Sequence, residues 1–125
     1  MAEPVVAAGP SVERVFRAVD AMDAEGLGAL LAEDARMVFG NAPPLVGRAA
    51  ILSDCLTFAA AIQRMEHRVL RHWVVGADTI AEARATYTRL DGSGVTIPVV
   101  SIWTARADGL ISHYRVYYDP SPIFA

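Results

Sequence analysis

The 125 residues predict an α+β domain in which about three N-terminal helices pack on a strongly curved antiparallel sheet. Three observations carry that prediction. Val12, Val15, Phe16, Val19 and Met22 recur at helical spacing near the start of the chain. From Thr79 to Asp119 the pattern switches toward alternation, cut by Asp91-Gly92-Ser93-Gly94 and Ala107-Asp108-Gly109, which have the composition of tight turns. No internal repeat, low-complexity run or linker interrupts residues 11–125, so helices followed by hairpins belong to one α+β domain preceded by a tail, residues 1–10.

Each element has its own signal. Ser11 is a suitable N-cap for the first helix, because its hydroxyl can accept from an unpaired amide of the first turn. Asp23 can cap a second helix carrying Leu27, Leu30 and Leu31, with Glu33-Asp34 closing it and a strand following from Ala35 to Asn41. Asn41-Ala42-Pro43-Pro44 must turn, since neither proline can donate to a ladder. Gly47 to Met65 reads as a third helix with Ile51, Cys55, Phe58 and Ile62 on its apolar side, followed by a strand from His67 to Val75. In Ile80-Ala81-Glu82-Ala83-Arg84-Ala85, alanine, glutamate and arginine favour a helix while alternation favours a strand. Thr86-Tyr87-Thr88 and the glycine turn after it decide for a hairpin arm. Val95 to Ala105 returns, and Leu110 to Asp119 forms the last strand.

Composition narrows the function. The chain is 54% hydrophobic and only 20% charged, more apolar matter than a small monomer readily hides, so a cavity or a subunit interface is expected. A formal charge of −3 with scattered basic residues lacks the stripe that holds a phosphate backbone, which argues against nucleic acid. Cys55 is alone, so there is no internal disulfide and no thiolate metal cluster, consistent with a cytoplasmic setting. Residues 1–10 lack a basic start and carry Pro4 and Pro10, and do not read as a signal peptide. No apolar run reaches the roughly 20 residues of a membrane span. His67, His72 and His113 make no recognisable metal set, and no glycine-rich phosphate loop follows a strand, so neither a metal nor a nucleotide cofactor is expected.

Val12-Glu13-Arg14, Asp23-Ala24-Glu25-Gly26-Leu27, Leu30-Leu31-Ala32-Glu33-Asp34-Ala35 and Val46-Gly47-Arg48-Ala49-Ala50-Ile51 resemble the NTF2-like superfamily, specifically its SnoaL-like branch, over residues 12–124. The resemblance implies a hollow cone and a kinship with ketosteroid isomerases and limonene epoxide hydrolases. It does not fix an activity, because the scaffold hosts isomerases, hydrolases, dehydratases, cyclases and binders. The isomerase groups do not carry over: its tyrosine falls on Val15, its base aspartate on Phe39 and its protonated aspartic acid on Ser101. The epoxide hydrolase set fails as well, with the arginine on Ala83, the aspartates on Ala85 and Val116, and the water-holding tyrosine and asparagine on Met37 and Phe39.

That alignment also fixes strand parity, and parity decides which face a side chain occupies. Inward by this reading are Met37, Phe39 and Asn41; Ala81, Ala83, Ala85 and Tyr87; Val99, Ser101 and Trp103; and Tyr114, Val116 and Tyr118. The three alanines either leave room for a flat ligand against Tyr87, Trp103 and Tyr114, or receive a closely packed helix. Tyr87, Ser101, Tyr114 and Asn41 are candidate hydrogen-bond donors to a carbonyl or enolate, although a tyrosine hydroxyl can equally end on a backbone carbonyl. His67 is the candidate general acid or base, with His72 competing if the strand slips by one residue. Catalytic groups are thus sought among Tyr87, Ser101, Tyr114 and His67, and substrate contacts among Met37, Phe39, Asn41, Ala83, Ala85, Trp103, Val116 and Tyr118. Glu82, Arg84, His113, Arg115 and Tyr117 should form the outer sheet face, where a homodimer contact is expected; with parity reversed, Glu82 becomes the pocket base. The function expected is a cofactor-independent SnoaL-like enzyme acting on a hydrophobic oxygenated small molecule, with a non-catalytic binding protein as the alternative.

Overall fold

The structure is a computed structural model and describes residues 9–125. The element order is α1 (Val12–Asp20), α2 (Ala24–Gly28), β1 (Leu31–Phe39), β2 (Leu45–Val46), α3 (Arg48–Ala61), β3 (Ile62–Val75), β4 (Asp78–Arg89), β5 (Gly94–Ala105) and β6 (Ile111–Tyr117), closed by a 3-10 turn, Ser121–Phe124. The six strands form one sheet in the order β2-β1-β6-β5-β4-β3, and the helices cover its concave face. This is the expected α+β cone. Within it, the β1–β6 pair runs parallel and every other pair antiparallel.

Both predicted caps form: Ser11 accepts from the Arg14 amide at 3.2 Å and Asp23 from the Gly26 amide at 3.0 Å. The second helix is shorter than its leucines suggest. It stops at Gly28, and Glu33 and Asp34 lie inside β1 instead of closing a helix. Two glycines in five residues weaken the helix, while Leu30 and Leu31 gain more by burial beneath the sheet, where Leu31 pairs with Ile111. At Gly47 the chain adopts a φ of +95° that an L side chain would resist, and this turns it from β2 into α3.

The third helix also ends early, at Ala61 rather than Met65, and β3 starts at Ile62. The long β4 arm offers a ladder to this segment, and Ile62 is itself buried opposite Arg89. β3 carries two irregularities, between Ile62 and Arg64 and between Val69 and Arg71. Gln63 and Leu70 are therefore extra residues in the ladder, each shifting the parity of the strand beyond it. His67 sits opposite Ala85 and His72 opposite Ala81, so both project to the concave face. The slip that the sequence posed as an alternative occurs within the strand, at Leu70.

Parity along β4 is as expected. Ala81, Ala83 and Ala85 are buried, whereas Glu82 pairs with Arg71 at 2.9 Å on the outer face and Arg84 is exposed. Glu82 is not a pocket base. Residues 1–8 of the proposed tail lie outside the described residues. Pro10, assigned to the same tail, is buried, and its carbonyl accepts from the Trp103 indole at 3.0 Å.

Candidate functional site

The concave face encloses a cavity of about 410 Å³ between α1, α2, α3 and the sheet. Of the four candidate catalytic residues, His67, Tyr87, Ser101 and Tyr114 all line it. Met37, Phe39, Val116 and Tyr118 line it too. The other expected contacts do not. Asn41 is exposed in the turn after β1, because the strand ends at Phe39 and its alternation stops there. Ala83 and Ala85 are buried behind larger side chains and form no part of the wall. Trp103 is wholly buried, held by Pro10 and packed edge-on to Phe16 and obliquely against Tyr114, so it backs the cavity without facing it.

These packings resolve the two readings of the alanine stripe. The Phe16 ring stacks on the His67 ring at 4.5 Å, with 12° between planes, and His67 lies opposite Ala85. A helix side chain and the histidine thus occupy the space over the alanines, and the hollow opens toward Tyr87, Ser101 and Tyr114.

The chemistry centres on a residue with no motif of its own in the sequence. Asp20, the last residue of α1, accepts from the His67 backbone amide at 2.9 Å and contacts His67 Nδ1 at 2.7 Å. The His67 side chain is only 6% exposed. A carboxylate accepts from Nδ1–H, and in a neutral ring so held Nε2 is the nitrogen that can accept a proton. A carboxylate at a helix C-terminus opposes the helix dipole, so Asp20 is held there by its two bonds to His67 rather than by the helix. Its signal in the sequence is spacing: Val12, Phe16 and Asp20 lie four apart on the core-facing side, and an acid in line with buried residues requires a partner.

The facing wall supplies hydroxyls. Burial pushes the Tyr114 hydroxyl to a higher pKa, and a hydrogen bond with Ser101 draws it partly back. Burial raises Tyr87 as well, reinforced by Tyr118 and Asp20. Both phenols therefore stay protonated donors at neutral pH. Cys55, in the α3 wall, is pushed up to about 11 by burial and by Asp54, which keeps it a thiol and a poor nucleophile. Among the described residues the cavity thus holds one oriented imidazole opposite neutral hydroxyl donors.

A concave sheet under three helices, enclosing an apolar hollow, is the NTF2-like fold. The model of the SnoaL-like domain family matches residues 12–114, and the chain belongs to that family. Comparison with curated proteins finds no match. Among solved structures, similar folds include an NTF2-like protein of unknown function from Burkholderia pseudomallei (TM-score 0.81, 17% identity, 90% of this chain and 91% of that one). A candidate SnoaL-like polyketide cyclase from Jannaschia sp. CCS1 aligns at TM-score 0.78 and 19% identity over 90% of this chain and 85% of that one. An epoxide hydrolase of limonene epoxide hydrolase-like type from M. tuberculosis aligns at TM-score 0.76 and 19% identity over 90% and 83%. At these identities the likeness is one of fold.

Proposed function

We propose that this protein is a cofactor-independent acid–base enzyme of SnoaL-like type acting on a hydrophobic, oxygenated small molecule, in the isomerase, cyclase, dehydratase or epoxide hydrolase classes. The 2.7 Å contact between Asp20 and His67 Nδ1 inside the apolar cavity carries this reading. His67 Nε2 takes a proton from a carbon next to a carbonyl, or from a water that attacks the substrate. Asp20 stabilises the imidazolium. Tyr114, with Ser101 beside it, and Tyr87 donate to the substrate oxygen on which negative charge develops. His67 then returns the proton.

His67→Gln should lower kcat by roughly 10²–10⁴-fold against an active member of a panel of epoxides, enones and polyketide-like ketones. Asp20→Asn should give a smaller loss, since the imidazole remains but its orientation and charge support are weakened. Full activity in both variants would discard the mechanism, whereas binding without turnover of any panel member by the wild-type protein would leave a non-catalytic binding protein, the reading favoured by the mainly apolar walls.

We further propose that the protein is a homodimer through the outer sheet face. Trp73, Ile80, Val100, Ile102 and Tyr117 form an apolar band there, with Trp73 and Tyr117 about half exposed.

A further inference from the structure

Among the described residues the carboxylates lining the cavity have no arginine or lysine to balance them, and the one group there that can turn positive, His67, is tied to Asp20. The chain has no lysine, and none of its eleven arginines lines the hollow. Arg64, Arg71 and Arg106 are paired with acids elsewhere, and Arg89 and Arg48 donate to backbone carbonyls. Two carboxylates, Asp23 and Asp54, do line it. Asp54 is felt by two wall residues, since it raises both Cys55 and Tyr118. The Asp20–His67 pair cannot offset them: it is neutral with His67 protonated and negative with His67 neutral. An anion entering this hollow loses its hydration and, among the described residues, meets no cation that is not already paired with a carboxylate.

From this charge distribution we infer that the site selects by charge, admitting apolar molecules that are neutral or carry a basic nitrogen and rejecting carboxylates, phosphates and thioesters of phosphorylated carriers. The inference rests on the proposed function only in taking the cavity as the ligand site. It narrows the substrate to a free ketone, alcohol, epoxide, ester or amine. Asp54, exposed on α3 and lining the cavity, is the main gatekeeper. Asp23 contributes less, because one of its oxygens is committed to the Gly26 amide.

The test compares 1-naphthylacetamide, 1-naphthylacetate and 2-(1-naphthyl)ethylamine, three probes with the same ring and different charge. Binding to the full chain is measured by calorimetry at low and high salt. The acetate should bind at least tenfold more weakly than the amide, and the amine at least as tightly as the amide. Added salt should narrow the gap. Asp54→Asn should reduce the penalty on the acetate severalfold while leaving the amide unchanged. Acetate binding as tight as amide binding would overturn charge selection and leave the acid–base reading intact. Binding of none of the three would overturn both. Selectivity that persists in His67→Gln separates charge selection from catalysis.

Discussion

Tyr114 shows how one side chain serves two ends. Its ring packs obliquely against Trp103 at 5.4 Å, and its hydroxyl is turned toward Ser101 at the cavity wall. Because Cys55, Tyr87 and Tyr114 are all pushed upward on burial, each favours the folded state only while protonated. The unfolded chain releases those protons first, from about 9 for the thiol and 10 for the phenols, so stability should hold up to about pH 9 and fall above it. The melting temperature from pH 8 to 11 checks this. Tyr114→Phe should flatten the alkaline fall, because it removes a buried ionisable hydroxyl. At this scale the sequence was readable where a residue's chemistry is self-contained. Tyr87, Ser101 and Tyr114 were identifiable as candidates from type and parity, His67 from type alone because the register of its strand was open, and all four border the cavity. Asp20 was not, since its role arises from a contact 47 positions away along the chain.

At the scale of elements, α1 couples the fold to the site. Val12, Val15 and Phe16 bury its inner face, and its last two turns deliver Phe16 and Asp20 to the same histidine of β3. Phe16→Ala should therefore destabilise the protein by roughly 3–5 kcal/mol in chemical denaturation and loosen His67 as well. Tight refolding around alanine, with no loss of stability, would show that the stacking contributes little. Helix starts were legible because a cap is a local device, as at Ser11 and Asp23. Helix ends were not. Both α2 and α3 stop where sheet pairing offers more than another helical turn, and that competition is decided by β6 and β4, distant in sequence. Asn41 failed for the same reason: alternation predicts a face only as far as the strand continues.

For the molecule as a whole, the apolar excess in the composition divides between two places, the hollow on one side of the sheet and the band around Trp73, Ile102 and Tyr117 on the other. Sedimentation should give twice the 13.4 kDa chain mass, and Trp73→Glu should shift the population toward the single chain. A monomeric wild-type protein at micromolar concentration would sink the interface. The α+β class and the cone were legible because hydrophobic period and turn chemistry agree along most of the chain. The share of that apolar surface facing a ligand was not, because it depends on Phe16 and Trp103 filling the space above three alanines.

Leu70 has a consequence for anyone comparing this chain with others of its kind. The ladder runs from Val69 opposite Ala83 to Arg71 opposite Glu82, so Leu70 could be excised and both faces of β3 would keep their present occupants. A cousin lacking that residue would hold equivalent side chains at numbers displaced by one. Position-by-position transfer of roles beyond Val69 then has to open a gap there, or it will swap the hollow's lining for the outer wall.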